Sequence, residues 1–478
     1  MHSRQQARLV PLLVFCAALL TGARAGVAMA AAVDGPERQA VERRAIEAVN
    51  WGMPAVNFDQ MYQAMVRDAK GGKNQIVYWS RLFDWKNQTL TPNPDVIYVM
   101  PFFDTKEAGP MVLELPPASA EGSITGTIMD CWQAPLEDVG RAGLDKGRGG
   151  KYLILPPGYT KPLPKGYLPL RSANYQGYAL LRSILAGGTE ADQAKAVDYA
   201  KRIRLYPLSQ ASAPPPTRFV DAIDVVFDAK IPYDLRFFQS LDRIVQYEPW
   251  LPRDKVMIDM LRTIGIEKGK PFAPDAATQE SLNRAAATAR QWLDARYASS
   301  FPRFYEQSRW TPPFVPEIKD TVATMYETAD AYSVDARGLA DTYAFSTIKH
   351  LGAGQFYLIT VQDKDGKPLD GATTYRLTIP PNAPVRQYWS IVLYDREQHT
   401  LIRNVARPSR SSQSSGIQKN SDGSVDLYLG PRAPAGKESN WIPTDPTRQF
   451  EAMFRAYAPE KAFFEKTWTL PDIVAEKY

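Results

Sequence analysis

The chain has 478 residues, with 57 Lys+Arg, 52 Asp+Glu, 3 His and 2 Cys. So few His and Cys exclude the usual His/Cys zinc site, although carboxylates and carbonyls could still hold calcium. The near balance of charge gives no basic face for nucleic acid.

The N-terminus carries Arg4 and Arg8, then an apolar run from Leu9 to Leu20, then Ala28-Met29-Ala30 or Ala23-Arg24-Ala25 as cleavage sites. This pattern predicts a signal peptide over residues 1–30, and a periplasmic or secreted protein. The run is too short to span a bilayer, and no later segment is long enough, so no stable membrane anchor is expected after cleavage. Removing residues 1–30 takes away Arg4, Arg8 and Arg24 and no acid, so Lys+Arg falls from 57 to 54 against 52 Asp+Glu. Cys131 is then the single cysteine, so no internal disulfide is expected, and core burial must hold the fold.

The first region, residues 31–185, opens on a helical pattern: Val41, Ile46, Val49, Met53 and Val56 fall near one face. Short strand-like runs follow at 76–79, 96–103, 111–116, 123–129 and 151–157, separated by Gly, Pro, Asn and Asp. Residues 186–345 read as mainly helical, with Ala194, Val197, Ala200 and Ile203 on one face and Leu282, Ala285, Ala289, Trp292 and Leu293 on another. Residues 346–478 return to strands at 375–379, 388–394 and 425–429. Asp365-Gly366 and Asp422-Gly423 are hairpin signals, and Arg407 to Gln418 reads as a long polar loop. The expected class is α+β, with two β-sandwich or jelly-roll-like domains joined by a mainly helical middle region. No repeat of 20–50 residues recurs, which argues against a solenoid or propeller.

Thr91-Pro92-Asn93-Pro94-Asp95-Val96-Ile97-Tyr98, with Asp104 and Gly109-Pro110-Met111-Val112-Leu113-Glu114-Leu115-Pro116, resembles the N-terminal module DUF1254. Asp365-Gly366-Lys367-Pro368-Leu369-Asp370-Gly371, Trp389 to Asp395, Asn420 to Val425 and Lys437 to Pro443 resemble its usual partner, DUF1214. Gly265 to Phe272 fits the connecting segment of the same two-domain family. The resemblance implies two β-rich domains joined by helices, and export in many members. It implies no activity and no catalytic residues.

Candidate sites come from the residues themselves. Asn93 and Asp95 sit on a loop stiffened by Pro92 and Pro94, just before Tyr98, where a fixed carboxylate could act as a base or grip a hydroxyl. The plainer reading is that both cap their own turn. Asp130 beside Trp132 suggests a carboxylate next to a stacking platform, and Asp95 with Asp130 would make an acid–base pair if they face each other; the plainer reading of Asp130 is a strand-end acid satisfied by a loop amide. Lys437, Asn440 and Trp441 could bind a polar or sugar-like ligand, with Arg455 facing the same pocket, or they could lock a domain corner. His399 could be oriented by Asp395, but a surface histidine is the preferred reading. No motif points to a metal, and the sequence names no cofactor.

These features predict a small polar or partly aromatic ligand bound between the domains. A second reading is a hydrolase or lyase of carbohydrate-like or organic-acid substrates, using Asp95 and Asp130. A third is a non-catalytic scaffold that forms homo-oligomers through its β-domains.

Overall fold

The computed structural model describes residues 19–344, 348–350 and 354–476, with side chains from residue 35 onward. Most of the expected signal segment lies outside the described residues. Among those described, no helix is long and apolar enough to cross a membrane.

The first element is a helix, α1 (Leu19–Arg67), which extends further toward the N-terminus than the periodicity from Val41 implies. Between Ala45 and Met65 its apolar residues are buried on every side. A helix of that composition must be enclosed by other elements. It packs against α3 (Leu235–Tyr247), α4 (Ala276–Ser299) and α5 (Val334–Tyr343). A shorter helix, α2 (Glu190–Ala200), starts with a capping box at Thr189 and Asp192.

The N-terminal strands are β1 (Gln75–Tyr78), β2 (Ile97–Asp104), β3 (Met111–Leu115), β4 (Ile124–Asp130), β5 (Pro135–Val139), β6 (Gly150–Leu155), β7 (Leu168–Arg171), β8 (Gln176–Ser183), β9 (Arg204–Pro207) and β10 (Phe219–Asp221). They build a six-stranded sheet in the order β10-β1-β2-β8-β4-β5 and a four-stranded sheet in the order β9-β3-β6-β7. Strands β9 and β10 fall within the stretch read as mainly helical. At four and three residues they carry too little period to be seen in sequence.

The C-terminal strands are β11 (Gln355–Thr360), β12 (Tyr375–Ile379), β13 (Val385–Asp395), β14 (Ser409–Ser411), β15 (Val425–Gly430), β16 (Trp441–Pro443), β17 (Phe450–Pro459) and β18 (Val474–Ala475). Their sheets run β11-β17-β13-β14 and β16-β15-β12-β18. The expected α+β class with a helical middle region is what the chain adopts. The turn at Asp365-Gly366 closes a small hairpin through the bridge Gln362–Pro368, and Gly366 takes φ 81°. Gly423 likewise takes φ 85° ahead of β15. The loop expected at 407–418 contains β14.

Side-chain alternation explains how the layers stack. Along β2, Ile97, Val99 and Phe103 join the core between the two N-terminal sheets, while Tyr98, Met100 and Phe102 face the helices. Along β17, Ala452, Phe454 and Ala456 fill the C-terminal sandwich, while Met453 and Tyr457 face the same helices. β13 divides in the same way: Ile391 and Leu393 point into the sandwich, Tyr388, Val392 and Tyr394 away from it. One large core, containing α1 and α3 to α5, is therefore shared by the inner sheets of both halves. Strands buried on both faces read as unbroken apolar runs, which is why β2 and β13 stand out in the sequence.

Candidate functional site

The faces of β2, β8, β11, β13 and β17 that turn inward onto the shared core bring polar groups into it. Arg182 on β8 and Arg455 on β17 are 5% and 2% exposed. Both line a central cavity of about 130 Å³, with Thr91, Tyr98, Leu180, Phe314, Ile318, Asp341, Tyr343, Tyr357 and Met453 among its walls. The cavity is mostly apolar, with its cationic groups on two opposed sheets.

A buried guanidinium normally has a carboxylate partner, because desolvating an unpaired charge is costly. Here neither arginine makes an ion pair with any described acid. Arg455 Nη2 donates to the Thr91 carbonyl (2.6 Å) and the Tyr394 hydroxyl (2.7 Å). The Nε atoms of Arg182 and Arg455 are buried and have no hydrogen-bond partner among the described residues. Aromatic faces replace the missing anion: Arg182 lies 5.4 Å from the Tyr98 ring centre and Arg455 4.4 Å from that of Tyr357.

Asp341, at the end of α5, also lines the cavity. Burial pushes its carboxyl up to about 8, against the pull of the Arg337 guanidinium. It is therefore largely protonated at neutral pH and can donate a hydrogen bond.

The loop before β2 closes one side of this site. Asn93 is completely buried, and its Nδ2 donates to the hydroxyls of Tyr457 (2.6 Å) and Tyr388 (3.0 Å). Those two rings stack with centroids 4.4 Å apart. The Asn93 amide N–H donates to the Tyr98 hydroxyl, and its Oδ1 accepts from the Asp95 N–H at 3.0 Å. Asn93 thus caps its own turn, as the plainer reading held, and also reaches into the C-terminal half.

The structure brings three of the sequence-derived candidates together: Asn93, Tyr98 and Arg455. The others lie elsewhere. Asp95 accepts from the Ser409 hydroxyl at 2.8 Å, and burial raises its carboxyl above the usual range. Asp130 accepts from the N–H groups of Trp132 (2.9 Å) and Ala134 (3.0 Å) and from Asn174 Nδ2 (3.0 Å), so a turn and an amide occupy its oxygens. Neither carboxylate lines the cavity. Trp132 packs against Trp51 with centroids 4.6 Å apart and is 6% exposed, which leaves no open stacking face.

Lys437, Asn440 and Trp441 form a corner of the C-terminal sandwich. Asn440 bonds the Gln418 N–H and the carbonyls of Gln418 and Asp426, and the Trp441 indole donates to the Gly430 carbonyl at 2.8 Å. Arg455 is not in their pocket, because β17 turns it to the opposite face of its sheet. His399 is not the surface residue expected. It is 7% exposed, and its partner is Glu451 instead of Asp395, which bonds Arg448. Sequence reasoning missed Arg182 and Asp341. An arginine inside the apolar run Tyr178-Ala179-Leu180-Leu181-Arg182 was the available signal. Among the described residues no group of three or more His, Cys, Asp or Glu is placed to hold a metal ion.

Two family profiles match the chain, each described as a protein of unknown function: DUF1254 over residues 73–207 and DUF1214 over residues 354–461. No curated protein sequence matches it. Among solved structures, the VPA0106 protein from Vibrio parahaemolyticus is similar over 91% of this chain and 100% of its own, at 15% identity and a TM-score of 0.56. An uncharacterised protein from Burkholderia cenocepacia covers 92% of this chain and 95% of its own at 10% identity, with a TM-score of 0.39.

Proposed function

We propose, for a chain that belongs to the family pairing an N-terminal DUF1254 module with a C-terminal DUF1214 module, that the central cavity binds a small organic anion. One observation carries this reading: two buried guanidiniums on one apolar cavity, with no acid among the described residues in an ion pair with either. A carboxylate head would accept from Arg182 and Arg455, and the protonated Asp341 would add a donor. An aliphatic or aromatic body would lie against Leu180, Phe314, Ile318 and Met453. A volume of about 130 Å³ is close to the ~150 Å³ of an engineered apolar cavity that admits benzene, so one ring or a short branched chain is the right size. Export to the periplasm or beyond is part of the proposal, supported by the arginines, apolar run and small-residue sites of the first 30 residues.

The test is a thermal-shift and calorimetric comparison of benzoate, isobutyrate and phenylacetate with their neutral amides. Acids that stabilise the protein where the amides do not would support the reading. Equal effects of acid and amide, or no shift with any of the acids, would rule out an anion site. Export is tested by fractionating the source cells: a chain beginning near residue 31 outside the cytoplasm is expected, and an intact chain in the cytoplasm would exclude it.

A further inference from the structure

A second, larger depression of about 640 Å³ opens beside the central cavity, lined by residues of α4 and the loops around residues 396–399 and 447–449. His399 forms part of its floor. The imidazole Nδ1 lies 3.1 Å from both oxygens of Glu451, which is completely buried. The same carboxylate accepts from the Tyr297 hydroxyl at 2.7 Å, and the Tyr297 ring packs 4.6 Å from the imidazole. A carboxylate can only accept, so in the neutral imidazole the arrangement puts the proton on Nδ1 and leaves Nε2 as the acceptor. No described residue bonds Nε2. A histidine oriented from behind by a buried acid presents a ring nitrogen to whatever enters the cleft.

The walls define what could enter. Three guanidiniums border the cleft, but each is paired: Arg396 with Asp294 at 2.6 Å, Arg290 with Glu397 at 3.0 Å and Arg448 with Glu397 at 2.7 Å. The remaining polar lining is Gln291, Gln398, Gln449, Thr342, Thr447 and Tyr233. The surface is therefore dense in donors and acceptors and close to neutral, the reverse of the central cavity. Planar amides, guanidiniums and carboxylates each offer two hydrogen-bonding atoms side by side, which matches neighbouring hydroxyls on a ring. The volume lies within the usual range for ligand sites of about 300–1,000 Å³.

We propose that this cleft is a second ligand site, for a neutral polyhydroxylated molecule of mono- or disaccharide size, in which His399 Nε2 accepts a hydrogen bond from a ligand hydroxyl. The site is separate from the anion cavity and does not depend on it.

The test follows the imidazole resonances of the full chain by two-bond ¹H–¹⁵N correlation, assigned with His399→Gln, while glucose, galactose, sucrose and trehalose are added in turn. The expected result is an Nδ1–H tautomer at His399, an Nε2 resonance shifted by at least one of these sugars, and an affinity for that sugar at least tenfold lower in His399→Gln. Gln291→Ala, on the exposed rim of α4, should weaken it several-fold with the melting temperature unchanged. An Nε2–H tautomer, or an Nε2 resonance that none of the four sugars moves, would overturn the proposal. Both readings come from the unmutated protein, and His2→Gln and His350→Gln, the latter at an exposed side chain, give the same assignment by elimination should His399→Gln fail to fold. Loss of benzoate binding with sugar binding intact would sink the anion cavity alone.

Discussion

The backbone N–H of Thr91 donates to the carbonyl of His399 at 2.6 Å, and both residues have positive φ, 36° and 54°. Thr91 also gives its carbonyl to Arg455 and its hydroxyl to the Tyr343 carbonyl at 2.8 Å. One residue thus connects the floor of the larger cleft to the wall of the central cavity. A β-branched residue at positive φ is strained, at a cost of about 1–3 kcal/mol, and persists because its surroundings fix it. Thr91→Ala keeps most of that strain and loses the hydroxyl bond, whereas Thr91→Gly loses the bond and the strain together. The glycine variant should therefore be the more stable of the two in urea unfolding, by about 1 kcal/mol. An alanine variant equal to or better than the glycine one would show that the backbone is not strained there.

Arg455→Met should abolish binding of the responding carboxylate while leaving a cooperatively folded protein. The side chain is buried with no ion-pair partner among the described residues, so an apolar replacement of similar length removes a desolvation cost along with two hydrogen bonds. Arg455→Lys keeps the charge but not the fork, and should weaken affinity at least tenfold. Calorimetry on both variants decides; wild-type affinity in Arg455→Met would place the anion elsewhere.

The pH dependence of stability should carry the mark of Asp341. Its carboxyl is raised to about 8 in the folded chain, so between about pH 4 and 8 the native state holds a proton that the unfolded state has lost. Stability must then fall as pH rises through that window, by up to about 1.4 kcal/mol per unit from this group. Glu248, raised to about 7 chiefly by burial, adds a fall in the same direction. Asp341→Asn should flatten the profile, which chemical unfolding at a series of pH values would measure. A variant profile as steep as the wild type would remove Asp341 as its source. Carboxylate affinity should also drop above pH 8, where an ionised Asp341 repels the ligand.

Asn93→Ala should cost about 2–3 kcal/mol, because it strips a donor from two buried tyrosine hydroxyls and an acceptor from the Asp95 N–H. Urea unfolding gives the value directly. A loss below about 0.5 kcal/mol would mean that water or a shifted side chain replaces the amide.

Trp441→Ala should lower the melting temperature and leave carboxylate affinity untouched, since the indole bonds the Gly430 carbonyl within the C-terminal sandwich. Weakened binding at unchanged stability would restore Trp441 to a ligand site.

Much of the architecture was legible because burial on both faces leaves unbroken apolar runs. Val96 to Phe103 and Tyr388 to Tyr394 announced themselves in that way. β8 and β11 did not, and they carry Arg182 and Tyr357, whereas the strand around Arg455 and Tyr457 was legible. A polar residue in such a run looks like an interruption, although only a functional or paired group would be tolerated there. Asn93, Tyr98 and Arg455 were found as candidates, but Arg455 was grouped with Trp441, because strand alternation fixes a face only once the strand's partners are known. His399 was misread because Glu451 lies 52 residues away, and Asp395, its near neighbour in sequence, bonds Arg448 instead. For Asp130 the plainer reading, a strand-end acid satisfied by a loop amide, is the one that its bonds to Trp132, Ala134 and Asn174 support.

Arg182 comes from the N-terminal sheet and Arg455 from the C-terminal one, so neither half owns the cavity proposed to bind the anion. A gene cut between residues 344 and 354 would part the two cavity guanidiniums: the first polypeptide would keep α1 and α3 to α5 over its sheet, and the second would expose the tyrosine-bearing inner face of β11, β13 and β17 to water. The second piece would be poorly soluble, and the proposed anion binding would return only on reassembly of the pair. Such interdependence is a reason for the two modules to travel through inheritance as one reading frame, with neither drifting free to serve another partner.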